Sequence, residues 1–496
     1  MLAGLTNSAW SALIGFAAIP FYLQYLGVEA YGLIGVFVTT QALLQLLDMG
    51  MAPTISREVA RASEAGDLRQ AGRLLHTLAV VYWVVAAAIA LVLITLAPLI
   101  ASHWLRPQQL SPDTISQAVM WMGVVVACRW PIGLYQGALI GAQRLTVSSA
   151  INMVMVTVGN GGAVAVLAFV SPTIEAFFLW QACVGFAHAM TMRIAAWRIV
   201  GKVADNRFDL NQLKRVWRFT AGMSAVGITA LVFTQLDKVI LSRMLELGDF
   251  GQYMLATVVV SGLYVLISPI FNVIFPRFSA LVASGETGKL TELYRLGTRL
   301  LATVLFSIAT VLALFAEDFV TVWTGDPAVA APVAQIVSLL VIGSALNGVM
   351  YFPYALQLAH GMTWIPLVLN ISLMCFLVPA IIFLALTFGA MGGALAWLIA
   401  EVAYVLTGPW LTHRHILKGL ASKWLFRDVG LPLAIAVLLV GAGHQAILAG
   451  GFSQGGRVAW ALVLSVFAPF AGLMMSGQLR NTLWIFAKQL FPAQRP

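Results

Sequence analysis

The chain has 496 residues, of which 60% are hydrophobic and only 9% charged. A soluble domain carries about a quarter charged residues, and no interior could absorb this excess of apolar side chains, so the solvent that accepts them is lipid. The net charge is +9, from 28 Lys and Arg against 19 Asp and Glu; in a soluble protein that would suggest nucleic acid, but here the basic residues cluster in short loops and report membrane topology.

About 20 apolar residues cross a bilayer as a helix. Fourteen stretches qualify: 4–26, 31–53, 74–101, 116–140, 147–170, 175–200, 219–242, 251–276, 297–316, 332–358, 364–387, 391–411, 429–449 and 457–476. The least marked boundaries are the turn at 26–31 and the break at 388–390. No Lys or Arg precedes the first stretch, so it reads as a retained span and not as a cleaved signal peptide. With the N-terminus inside, the internal loops 54–73, 141–146, 201–218, 277–296, 359–363, 412–428 and 477–496, with Arg193, Arg198 and Arg299 at adjoining helix ends, carry 23 of the 28 basic residues. Arg106, Arg243 and Arg457 fall outside, and Arg129 and Lys238 fall within spans. This asymmetry places both termini in the cytoplasm. No external loop is long enough to fold by itself.

Residues 206–218, "NRFDLNQLKRVWR", mix basic and apolar groups as an interfacial helix on anionic lipid does. The tail "NTLWIFAKQLF" (481–491) is a weaker instance. Cys128, Cys183 and Cys375 all lie in apolar stretches without disulfide or zinc spacing and read as packing thiols. "HRH" (413–415) reads as solvated surface with its two rings on opposite sides of a helix. No His, Cys or carboxylate cluster has metal-ligand spacing. The motif G-x-x-x-x-G-K-[ST] is absent, so ATP is not hydrolysed by that route.

Five charges are embedded: Asp48, Arg129, Asp237, Lys238 and Glu401. Each costs about 2.5–3.5 kcal/mol on insertion scales, and such groups turn toward a cavity or a partner. Arg129 is followed at four-residue steps by Gly133, Gly137 and Gly141, a face on which another helix can approach closely. Arg129 is thus half of a structural ion pair or a clamp for phosphate oxygens, which a guanidinium fork suits. Asp237 and Lys238 lie about 100° apart around their helix, a poor angle for pairing. Lys238 can snorkel to the outer headgroups, whereas the short Asp237 needs a partner, water or an ion. Asp48 can reach cytosolic water; Glu401, mid-span, is a protonatable group or half of a pair. Arg57 and Arg277 follow the inner ends of the second and eighth spans.

"LGVEAYG" (26–32) and "LELGDFG" (245–251) coincide at a shift of 219 residues, where Tyr31-Gly32 meets Phe250-Gly251 and Gly66-Asp67 meets Gly285-Glu286. The copies are six spans apart and run in the same direction, as parallel repeats do. The chain then divides into a six-helix lobe over 1–205, a second over 206–412, and two added helices with a tail over 413–496.

"IPFYLQYLGVEAYGLIGVFVTTQALLQLLDMGMAPTISREVAR" (19–61) resembles the N-terminal signature of bacterial polysaccharide flippases, within the multidrug/oligosaccharidyl-lipid/polysaccharide exporter superfamily, and "QLDKVILSRML" (235–245) resembles the start of their second lobe. The resemblance implies an all-α polytopic membrane protein, two six-helix lobes around a central cavity plus two C-terminal helices. It implies no enzyme, but translocation of a polyprenyl-diphosphate-linked oligosaccharide, of O-antigen or exopolysaccharide type, across the bacterial inner membrane by alternating access. On that reading Arg129, Lys238, Arg57 and Arg277 meet the diphosphate, and Asp237, Glu401 and Asp48 are the candidates for coupling to a proton or sodium gradient. No cofactor and no structural metal is expected. The partners expected are the lipid-linked oligosaccharide, membrane lipids and the polysaccharide polymerase and export machinery, and not nucleic acid. A drug or metabolite cation antiporter of the same superfamily is the alternative. A glycan polymerase or glycosyltransferase is less favoured, because such enzymes hold substrate on a large external loop.

Overall fold

A computed structural model describes residues 2–48, 50–65, 68–201, 208 and 225–475. The interfacial helix expected over 206–218 (Phe208 apart), the first residues of the seventh stretch and the tail helix at 481–491 lie outside the described residues, as does the Gly66-Asp67 pair. What is described is helical throughout, with no strand among the described residues. Where they are described, the fourteen apolar stretches fall mainly on helix, and among the described residues ten helices are long and apolar enough to cross a bilayer. The side chains these helices leave exposed are largely apolar, among them Val84, Leu91, Phe169, Phe383, Leu386, Leu438 and Val466. An outward face of this kind is stable only against lipid. The protein is an all-α, multi-pass membrane protein.

The chain separates into two compact units, Met1–Met254 and Leu255–Pro496. In the first, α1 (Leu2–Leu44) is two helical stretches joined at Gly27, whose φ of 79° is open to glycine alone at little cost. A 3₁₀ turn, Gln45–Asp48, leads to α2 (Met51–Glu64) and α3 (Arg69–Leu99). The fourth predicted span is broken into α4 (Pro112–Arg129) and α5 (Ile132–Gly141). Pro131 is the cause: it has no N–H to give the carbonyl of Ala127, and its ring crowds the preceding turn. The helices α6 (Leu145–Phe169), α7 (Ile174–Val200) and α8 (Ala225–Met244) follow, and α9 (Leu247–Ala283) begins in this unit. Packing of α1 on α6, and of α4 between α3 and α7, frames a cavity. In the same unit Ile55, Leu75, Leu78, Leu134, Ala138 and Met192 belong to one buried apolar cluster.

The repeated motif is a contact. A Cβ on Gly32 would stand 2.3 Å from the carbonyl oxygen of Leu247, and one on Gly251 would stand 2.4 Å from that of Val28. At the 219-residue shift Gly32 corresponds to Gly251 and Val28 to Leu247, so the contact is reciprocal, as a two-fold related pair requires. Beside it Glu29 accepts backbone N–H bonds from Gln108 (2.7 Å) and Gln109 (2.9 Å), and Leu247 donates to the carbonyl of Arg106 (2.9 Å), so the loop before α4 is tied down.

In the second unit α10 (Thr287–Leu314), α11 (Ala316–Thr324), α12 (Pro327–Val349) and α13 (Tyr351–Ala359) precede the 52-residue α14 (Trp364–His415). The break expected at 388–390 is a kink at Gly389, φ 57°. After a π-helical turn, Trp424–Gly430, come α15 (Leu431–Ala449) and α16 (Gln454–Met475). Arg457 at the start of α16 pairs with Asp318 of α11 at 3.0 Å. Burial nonetheless pushes the Asp318 carboxyl up from its ordinary range, against the pull of Arg457.

The surface reading of "HRH" needs correction. The two rings do part, and His415 is exposed, but His413 is 1% exposed, at hydrogen-bond distance (3.0 Å) from the Tyr294 hydroxyl and against Trp424. The packing-thiol reading holds for half-buried Cys128, whereas Cys183 and Cys375 are exposed.

Candidate functional site

A cavity of about 670 Å³ lies inside the first unit. Its lining comes from every helix from α1 to α7 and includes Tyr22, Phe37, Asp48, Tyr82, Trp130 and His188. Arg129 enters it from the broken turn ahead of Pro131. Its Nη2 donates to Gln181 Oε1 at 2.6 Å, and its guanidinium carbon stands 5.5 Å from the centre of the Phe37 ring. Gly185 of α7 makes room for the side chain, since a Cβ there would meet Arg129 Cγ at 3.1 Å. Among the described residues no carboxylate comes within ion-pair distance of Arg129. Its partners, an amide oxygen and an aromatic face, hold a cation without neutralising it.

One more donor, the Trp130 indole N–H, and one imidazole nitrogen, that of His188, share this lining. Trp130 Nε1 and His188 Nε2 are buried and have no hydrogen-bond partner among the described residues. Unpaired buried polar groups are uncommon and call for an explanation; here both belong to the wall that carries Arg129. Tyr22, by contrast, is engaged, donating to Asn160 Oδ1 at 3.1 Å.

Asp48 lines the same cavity and accepts a hydrogen bond from the Tyr82 hydroxyl. The cavity therefore has one fixed cation and one carboxyl, in separate hydrogen-bonded settings. Arg129 and Asp48 are the two predicted site residues that the fold brings together. The glycines after Arg129 do not share its contacts. Gly137 and Gly141 press on the backbone of α2, where a Cβ would stand 2.6 Å from Ala52 O and 2.2 Å from Ser56 O, while Gly133 lines the cavity with nothing near.

Asp237 and Lys238 do pair, contrary to the expectation from their helical angle. Lys238 Nζ folds back to Asp237 Oδ1 at 3.1 Å and also donates to the carbonyl of Thr234 at 2.9 Å. The lysine stem is long enough to curl across the 100°, and its side chain is only 13% exposed, so it does not snorkel. Tyr253 donates to Asp237 Oδ2 at 2.6 Å, which completes a buried cluster outside the cavity lining. Arg57 is at the surface and pairs with Glu58 at 2.9 Å. In the second unit Arg277 is exposed, near enough to Glu286 to help hold that carboxyl below its usual range, an effect owed first to Lys289. Glu401 is fully buried. Asn347 Nδ2 donates to its Oε1 at 3.0 Å, Tyr264 donates to Asn347 Oδ1 at 3.3 Å, and Glu401 Oε2 has no partner among the described residues. It forms no ion pair among the described residues.

Sequence reasoning that counted charges alone missed Gln181, His188, Asn160 and Tyr82. The signal was present: each is a polar group inside an apolar stretch, and such groups also face inward.

The first unit of this polytopic helical protein thus holds a cavity whose lining carries a buried cation, a carboxyl and several polar side chains. The chain belongs to the polysaccharide biosynthesis protein family, whose model matches residues 5–282. It is 20% identical over 422 residues to a Shigella flexneri protein assigned as an O-antigen transporter, covering 83% of this chain and 98% of the relative. Its fold is similar to that of the lipid II flippase MurJ in an inward closed conformation, with a TM-score of 0.65 and 12% identity, covering 96% of this chain and 98% of MurJ. It is equally similar to an inward-facing multidrug resistance MATE family transporter of the MOP superfamily, with a TM-score of 0.65 and 13% identity over 82% of this chain and 95% of that one.

Proposed function

We propose that the protein is a flippase that moves a polyprenyl-diphosphate-linked oligosaccharide across the bacterial inner membrane by alternating access, with both termini in the cytoplasm. The observation that carries this reading is Arg129, a guanidinium lining the cavity with no carboxylate within ion-pair distance among the described residues, and with the unpaired Trp130 Nε1–H and the unpaired His188 ring nitrogen in the same wall. Such a wall favours an anion that can accept several hydrogen bonds, and a diphosphate does so. The family supplies the link to polysaccharide. Lys238 is tied to Asp237 and Arg57 to Glu58, so Arg129 is the leading diphosphate contact among the four candidates.

The test is glycan export in cells that depend on this protein, with Arg129→Lys and Arg129→Ala compared at equal membrane abundance. Lysine keeps the charge and loses the fork, so Lys should be impaired and Ala more so. Full export by the Ala variant would sink the proposal.

Asp48 in the same cavity favours a second reading, a cation antiporter. Under it Asp48→Asn abolishes transport and Arg129→Ala does not; the flippase reading expects the reverse order of severity.

A further inference from the structure

A second pocket, of about 320 Å³, lies in the other unit between α10, α15 and α16. One side is polar and basic, with Arg295, Arg299, Thr303, Ser307 and Arg427; the other is aliphatic, with Leu431, Pro432, Ile435 and Met475. Asp428, fully buried, is shared by two of these cations. Arg295 Nε donates to its Oδ2 at 2.8 Å, and Arg299 Nη2 donates to its Oδ1 at 2.5 Å. Arg427 is exposed and has no ion-pair or hydrogen-bond partner among the described residues. No carboxylate lines the pocket among the described residues, so the pocket carries an excess of positive charge.

We infer that this pocket binds the phosphodiester headgroup of an anionic membrane phospholipid, with an acyl chain lying on the aliphatic side. Two features select that ligand. The basic wall stands at the helix ends next to the basic loops, where pockets between membrane helices take anionic headgroups. Aliphatic side chains complete the lining of the same pocket, which suits a molecule that is charged at one end and apolar at the other. A free phosphate would leave the apolar wall unused, and the volume is too small for a diphosphate with its oligosaccharide. The Asp428 bridges hold Arg295 and Arg299 in place, so the forks are oriented before the lipid arrives. The inference concerns a resident lipid and not the cargo, and it does not depend on the transport reading.

The test is binding by the delipidated full-length protein in detergent, followed by native mass spectrometry and by thermal shift. The probes are phosphatidylglycerol, phosphatidylcholine, inorganic phosphate and a polyprenyl phosphate. Wild type should retain one phosphatidylglycerol and prefer it to phosphatidylcholine. Arg427→Gln removes one charge-assisted contact without touching the buried bridges, and should weaken phosphatidylglycerol by about tenfold. Ile435→Trp fills the aliphatic side and should weaken it with the charges intact. Equal binding of phosphatidylglycerol and phosphatidylcholine overturns the inference, as does unchanged affinity in both variants. Protection by inorganic phosphate equal to that by the lipid would assign a free-anion site instead. Preference for the polyprenyl phosphate would assign the pocket to the transported lipid.

Discussion

Three glycines on one helix should respond differently to the same substitution. In α5 a Cβ on Gly141 would stand 2.2 Å from the backbone oxygen of Ser56, one on Gly137 would stand 2.6 Å from that of Ala52, and one on Gly133 would meet nothing within 4 Å. A relaxed carbon-to-carbonyl contact is about 3.3–3.6 Å, so Gly141→Ala forces α2 and α5 apart by roughly 1 Å at a point where both neighbours are backbone. Overpacking of this kind costs about 1–3 kcal/mol. Alanine returns about 0.5–1 kcal/mol of helix propensity at each site. Gly141→Ala should therefore destabilise by about 1–2 kcal/mol, with Gly137→Ala slightly milder, whereas Gly133→Ala should be neutral or stabilising by up to about 1 kcal/mol. The assay is reversible denaturant unfolding of purified protein in mixed micelles, with the three variants side by side. A Gly133→Ala loss as large as that of Gly141→Ala would refute the close-approach argument, because the three sites would then differ only in propensity, and there they are alike.

Asp428→Asn leaves Arg295 and Arg299 sharing a neutral amide and should destabilise by about 3–5 kcal/mol in the same unfolding assay; a loss below about 1 kcal/mol would mean that water already screens the pair. For coupling, transport into proteoliposomes with and without an imposed proton or sodium gradient is compared in Asp237→Asn, Glu401→Gln and Asp48→Asn. Glu401, buried with one oxygen that has no partner among the described residues, is the carboxylate whose removal should abolish the response to the gradient, since Asp237 already has Lys238 and Tyr253; a response that survives in Glu401→Gln and vanishes in Asp237→Asn would reverse that order. Cysteines placed at Ser63 and Ser422 should label only from the cytoplasm, and one at Pro327 only from outside; external labelling at Ser422 would break the topology of the second half.

The sequence by itself determined the solvent, the class of structure and the family. Composition and the spacing of apolar stretches suffice for this, because a backbone in lipid must satisfy its own hydrogen bonds and a helix does so locally. The two doubtful boundaries resolved at Gly27 and Gly389, where one dihedral angle decides, and glycine marks such points in the sequence itself. The contact between α1 and α9 was foreshadowed as well, since an aromatic residue followed by glycine recurs where the two backbones touch. What the tertiary structure alone decided was the partner of each embedded charge. Arg129 could have found an acid on any of the other helices; it found Gln181 and Phe37. Asp237 and Lys238 form a pair because a long side chain bends, which helical angles between Cβ atoms do not record. His413, set among charges at a helix end, is buried against Tyr294 and Trp424, which are 119 and 11 residues away in the chain. Helix formation in a membrane is local and can be read from twenty residues at a time, whereas charge compensation is a property of which helices become neighbours.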